Sequence, residues 1–119
     1  MQFNNKKAIY LQIADYYLDR ILKGEAKPGE RILSVRDLAI KLGVNPNTVM
    51  RAYQYLQDKG IIYNKRGIGY FISDNAEKYA REIKYNEFVN NDLPAVFDTM
   101  RLLGLSVEDL VRLYKRQKR

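Results

Sequence analysis

Leu42-Gly43-Val44-Asn45-Pro46-Asn47-Thr48-Val49 decides the fold. Gly43 ends one amphipathic helix, because glycine accepts the positive φ of a helix C-terminus. Asn45 is a good N-cap for a second helix, and Pro46 fits its first turn. The first helix opens at Ser34-Val35-Arg36-Asp37, a Ser-x-x-acid capping box, and turns Val35, Leu38, Ala39 and Leu42 inward. The second places Val49, Ala52, Tyr53 and Leu56 at i, i+3, i+4 and i+7, and Gly60 closes it. Two short helices around so short a turn are a helix-turn-helix candidate.

Upstream, Ile9, Ile13, Tyr17 and Ile21 recur every fourth residue and predict a helix over 8–23, stopped by Gly24. Lys27-Pro28-Gly29-Glu30 is a turn, and Arg31-Ile32-Leu33 could form one short strand. Downstream the period switches to two. Ile61–Asn64 and Tyr70–Ser73 predict two strands joined by a hairpin tip, Lys65-Arg66-Gly67-Ile68-Gly69. Two strands alone are marginal and must lean on the helices. Residues 75–91 predict one helix, Leu93-Pro94 opens another, and Ser106-x-x-Asp109 caps a last one that ends in Lys115-Arg116-Gln117-Lys118-Arg119.

The 119 residues carry 21 Lys and Arg against 14 Asp and Glu, a net charge of +7. Residues 1–74 hold 12 basic and 7 acidic side chains, so most of the excess lies there. That balance favours a polyanionic partner, with nucleic acid ahead of an anionic membrane surface. The absence of cysteine removes disulfides and thiolate chemistry, and the absence of histidine removes the commonest metal ligand and proton shuttle. The carboxylates spread along polar helix faces with no metal-ligand spacing. An enzyme, a metal site and a cofactor are therefore not expected. No apolar run reaches the ~20 residues of a membrane span, and no signal peptide is legible, so a cytoplasmic protein is expected.

The second helix is the recognition candidate. Its start and outer face offer Asn47, Thr48, Arg51 and Gln54. A helix fits the major groove, where Asn and Gln pair with adenine, Arg with guanine, and a Thr methyl meets thymine. The ribbon directly after it has the layout of a wing. Lys65 and Arg66 at its tip can neutralise phosphates or enter a minor groove, and Gly67 lets backbones approach closely. The bland alternatives are two core helices with polar outer faces and a solvated basic turn. A winged helix used for protein contact is the rival function; it predicts little DNA affinity even at low salt.

Several motifs then fall in order: Ile9-Tyr10-x-Gln12-Ile13, Pro28-Gly29-x-x-Ile32-x-Ser34-x-Arg36-x-Leu38-Ala39, Leu42-Gly43-Val44-Asn45-x-Asn47-Thr48-Val49, Ala52-Tyr53-x-x-Leu56, Gly60-Ile61-Ile62 and Gly67-x-Gly69-x-Phe71-Ile72. Over residues 8–73 they resemble the winged-helix domain of GntR-family transcriptional regulators. The tail, with Phe88, Leu93-Pro94-x-x-Phe97-x-x-Met100 and Leu103-Gly104-Leu105-Ser106, resembles the YtrA-like subfamily, whose members lack a large effector domain and dimerise through the tail. The resemblance implies a fold that is mainly α with a small β-wing. Residues 1–74 would be a winged helix-turn-helix DNA-binding domain and residues 75–119 a helical dimerisation region. It implies a DNA-binding regulator, a repressor by preference, acting as a homodimer on a palindromic operator in double-stranded DNA. DNA contacts would come from Ser34, Arg36, Asn45, Pro46, Asn47, Thr48, Arg51, Lys65, Arg66 and Gly67. Three positions depart from the family pattern: Pro46 where many relatives carry Arg, Met50 where some carry a DNA-contacting Arg, and Leu33 in place of the Pro that commonly precedes Ser34. Base preference should differ accordingly.

The tail also argues for a partner on physical grounds. Forty-five residues cannot easily bury three amphipathic faces alone. Phe88, Leu93, Phe97, Met100, Leu103, Leu110 and Val111 need cover, and a second copy is the simplest source. Ten tyrosines leave room for a small-molecule effector, in the tail or between tail and winged domain, although half-buried core tyrosines are the commoner use. The basic C-terminus could add phosphate contacts, or simply complement the dipole of the last helix.

Overall fold

Helix α1, Ile9–Leu22, forms because Ile13, Ala14, Tyr17, Leu18 and Ile21 all lie on its buried face. The computed structural model describes residues 1–117. Helices α2, Val35–Leu42, and α3, Pro46–Asp58, follow. The strands β1, Ile62–Lys65, and β2, Gly69–Ile72, come next. Helix α4, Ala76–Glu87, then leads through a π-helical turn at Phe88–Asp92 into α5, Leu93–Leu103, and finally α6, Val107–Arg116. The protein is thus mainly helical with one small antiparallel ribbon, a winged helix-turn-helix. Two compact units divide the chain, Met1–Ile83 and Lys84–Arg119.

In the first unit, α3 packs on both α1 and α2. Val49, Ala52, Tyr53 and Leu56 of α3 are all fully buried, the four positions its periodicity predicts. Ile61, Ile62 and Ile72 anchor the ribbon in the same core, and Ala76 and Ala80 of α4 close it. This unit therefore runs past the end of the ribbon and includes the first turns of α4.

Local chemistry explains the joints. The Ser34 hydroxyl accepts from the Asp37 amide at 3.1 Å, and Gly43 ends α2 at φ 67°. The Asn45 side chain accepts from the Asn47 amide at 2.8 Å, and Pro46 opens α3 without a missing donor being felt.

Three local readings change. The ribbon register pairs Lys65 with Gly69, so Lys65 ends β1 and the tip is only Arg66-Gly67-Ile68. Gly67 sits at φ 78°, the left-handed position of a three-residue hairpin loop, and the Ile68 amide bonds back to the Lys65 carbonyl. Residues 31–33 form no full strand: Arg31 makes a single bridge to Phe71, while Ile32 and Glu30 exchange bonds with Tyr70 and Ile72. The helix predicted over 75–91 ends at Glu87, and Leu93-Pro94 does open α5, but through a π-helical turn. The Leu93 amide reaches back to the Phe88 carbonyl, five residues away, and this widened turn accommodates the proline, whose nitrogen cannot donate.

Candidate nucleic-acid interface

The exposed start of α3 is built by its caps. Asn45, Pro46 and Asn47 are exposed and Thr48 is half-buried, so the capped turn that opens α3 faces solvent. One turn on, Arg51 is exposed and its guanidinium lies over the Tyr10 ring, 4.1 Å from the centroid. Gln54 is turned along the helix to Asp58, at 2.9 Å.

Ser34 and Arg36 open α2. Ser34 spends its hydroxyl on the cap, while Arg36 is exposed. A buried relay connects this turn to α3. The Tyr53 hydroxyl donates to the Leu33 carbonyl at 2.6 Å. A hydroxyl has one proton, so the 3.1 Å contact between Tyr17 and Tyr53 is donated by Tyr17. The rings of Tyr17 and Tyr70 meet Tyr53 edge-on, at 5.9 and 4.9 Å. Burial pushes the Tyr17 and Tyr53 hydroxyls to higher pKa, so both stay protonated and able to donate. Helix α3 and the Arg36 turn are thereby held to each other.

At the wing, Tyr63 and Phe71 face each other across the ribbon and stack, with ring centroids 5.8 Å apart. The Lys65 ammonium lies 4.7 Å from the Phe71 centroid. Arg66 and Gly67 are exposed at the tip, and nothing crowds the open side of Gly67. On the other side of the ribbon, a Cβ on Gly69 would meet Arg31 Nε at 2.9 Å, so the Arg31 side chain occupies the space that glycine leaves.

The exposed starts of α2 and α3 and the wing are therefore anchored in one core. Sequence reasoning missed three supports: Tyr10 beneath Arg51, the aromatic pair beneath Lys65, and Arg31 against Gly69. The hairpin register could have found the second. The other two join residues far apart in the chain and leave no local signal.

In the second unit, Phe88, Phe97, Leu103, Leu110 and Val111 are exposed, Leu93 is half-buried, and Met100 is buried within the single chain. Leu102, Val107 and Tyr114 add to the exposed apolar surface, at 87, 66 and 81%. Helix α6 begins with a complete capping box: Ser106 accepts from the Asp109 amide, and the Asp109 carboxylate accepts from the Ser106 amide at 2.9 Å. Of the basic C-terminus, Lys115 and Arg116 form the last turn of α6, while Lys118 and Arg119 lie outside the described residues. No helix among the described residues is long and apolar enough to cross a membrane.

Residues 9–72 match the family of bacterial regulatory proteins named gntR. The chain belongs to the GntR family. Its relatives are transcriptional regulators rather than enzymes, and their shared segment is the winged DNA-binding domain just described. It is 39% identical to the HTH-type transcriptional regulator YhcF of Bacillus subtilis, over 92% of this chain and 89% of that one. It is 38% identical to the HTH-type transcriptional repressor YtrA of the same organism, over 86% and 78%. A GntR-family transcriptional regulator from Listeria monocytogenes superposes with a TM-score of 0.77 at 34% identity, covering 98% of this chain and all of that one. The likeness to these GntR proteins extends through the tail, which bears out the resemblance to the YtrA type.

Proposed function

We propose that this GntR-family chain is a cytoplasmic homodimer that binds a palindromic operator and represses transcription there. The observation that carries the docking face is the exposed first turn of α3, capped by the Asn45 side chain and tied through Tyr53 to the turn that bears Arg36. Asn47, Thr48 and Arg51 read base edges in the major groove. Asn45, Pro46 and Ser34 bring helix starts to the phosphates. Arg36, Lys65 and Arg66 neutralise phosphates, and Gly67 lets the wing backbone close on the duplex.

The tail supplies the dimer. Its apolar side chains, Phe88, Phe97, Leu102, Leu103, Val107 and Tyr114 among them, are exposed in the single chain, the kind of surface a partner covers. Two-fold pairing sets two α3 helices about one or two DNA turns apart, hence the palindrome. Repression follows from occupancy of a promoter and agrees with the name of the YtrA relative. For a small-molecule effector, the candidate place lies inside the first unit: a cleft of about 560 Å³ lined by Tyr16, Tyr17 and Arg20 of α1, Leu33 and Ser34, and Lys41 of α2. An occupant there would press on the segment that Tyr53 holds.

Selection of bound duplexes from a random DNA pool, repeated across a salt series, tests the reading. An enriched palindrome with salt-dependent affinity is expected. Enriched sites without two-fold symmetry would overturn the dimer, and no binding at low salt would overturn the docking face.

A further inference from the structure

We infer that Tyr10, in the first turn of α1, is a positioning residue for DNA recognition: its ring holds the Arg51 guanidinium in the plane from which Arg51 reads a base. The inference rests on the proposed reading of α3 as the recognition helix and deepens it, because that reading gives Tyr10 no role.

Arg51 stands on the exposed face of α3, between the buried positions Val49 and Ala52. A free arginine there samples many rotamers and loses that freedom on binding. Here the guanidinium carbon lies over the Tyr10 ring, 4.1 Å from its centroid. That placement covers one face of the guanidinium and leaves its in-plane N–H edges clear, which are the groups that pair with guanine O6 and N7. The ring is itself held still. Tyr10 packs half-buried against the core. Before it, Gln12 clamps the approach to α1: its amide donates to the carbonyls of Asn4 and Lys7 at 2.8 and 2.7 Å and accepts from the Asn4 amide at 3.1 Å. Lys7 in turn pairs with Asp15 at 2.6 Å. The first turn of α1 is thus a braced platform, and α3 lays one arginine across it.

The alternative is a contact that only staples α1 to α3. A double-mutant cycle separates the two, measured by fluorescence anisotropy of the full-length protein on the duplex enriched from the random pool. Arg51→Ala should weaken binding about five- to a hundredfold, the range for loss of a bidentate guanine contact. Tyr10→Leu should weaken it about two- to fivefold, the range of an exposed cation–π contact. Tyr10→Phe keeps the ring and should bind as wild type, and Tyr10→Leu should add no loss in the Arg51→Ala background. Equal loss from Tyr10→Leu in both backgrounds would make Tyr10 merely structural, and wild-type affinity in Tyr10→Leu would remove its role. Wild-type affinity in Arg51→Ala would instead overturn the placement of Arg51 at the DNA. A second measurement needs no destabilised variant. Side-chain proton resonances of Arg51 should carry the ring-current shift of Tyr10 and keep it in the DNA complex; loss of that shift on binding means the arginine leaves the ring, which overturns the inference.

Discussion

The Tyr53 hydroxyl donates a 2.6 Å hydrogen bond to the Leu33 carbonyl, so α3 is joined to the residue that precedes the Ser34 cap. Tyr53 is fully buried, and among the described residues no backbone amide is seen to donate to that carbonyl. Tyr53→Phe keeps the ring but strands the Leu33 carbonyl and removes the acceptor of Tyr17. A cost of about 1–3 kcal/mol is expected. Tyr17→Phe leaves the Tyr53–Leu33 bond intact and should cost only about 1 kcal/mol. Urea unfolding at one fixed protein concentration checks the order, and equal costs would mean that the Leu33 bond contributes nothing special.

The docking face makes a sharper claim about DNA. Arg36→Ala and Thr48→Ala should each weaken operator binding. Arg66→Ala should weaken binding to all sequences alike and reduce the salt slope by about one ion, because it removes a phosphate contact rather than a base contact. Competition against the enriched palindrome and against random duplex separates the two kinds of loss. Unchanged affinity and footprint in both Arg36→Ala and Thr48→Ala would rule out this face.

How much of this was legible in the residues follows from where the signals sit. Gly43, Asn45 and Pro46 act on their own backbone, so both ends of the helix-turn-helix are readable from neighbours. The buried stripe of α3 is equally local, since one helix face obeys one period. The wing was misplaced by one residue because Lys65 looks like a loop residue by type, whereas its ammonium is accommodated on Phe71 across the ribbon. Leu93-Pro94 is legible as a helix start, but the chain alone does not say that a π-helical turn will join it to α4. The tyrosine relay and the Tyr10–Arg51 contact were invisible for one shared reason. Each joins elements that meet only after the core has formed.

The capping box of α6 sets a pH dependence. The Ser106 backbone amide, followed by the Ser106 side chain, holds the Asp109 carboxyl below its ordinary value of 3.8. A lowered carboxylate pKa contributes stability above the ordinary value, and that contribution fades as pH falls through the lowered one. Helicity of α6 should therefore be flat from neutral pH down to about 4 and fall below it. Asp109→Asn should remove that acid step. The backbone amide of Ser106, followed by hydrogen exchange across the acid range, is the probe. A step unchanged by Asp109→Asn would assign the acid response to other carboxylates.

The tail gives the last prediction, and the packing decides how to test it. Cutting the chain after Asn75 would appear to isolate the winged domain, but it would strip Ala76 and Ala80 from the core of the first unit. A monomer or an aggregate from that truncation would say nothing about the tail. Substitution on the exposed face avoids the problem. Val107 and Leu110 lie one turn apart on α6 and are 66 and 37% exposed in the single chain, so a charge at either costs the isolated fold little. In a two-fold interface each charge is placed twice, and its burial without a partner costs far more than the contact it replaces. Val107→Asp with Leu110→Asp should therefore give a folded monomer by sedimentation velocity, with the wild-type circular dichroism spectrum. The same variant should bind a single half-site nearly as wild type does and lose most of its affinity for the full palindrome, because the second winged domain is no longer tethered. A double variant that still sediments as a dimer would move the interface off α6.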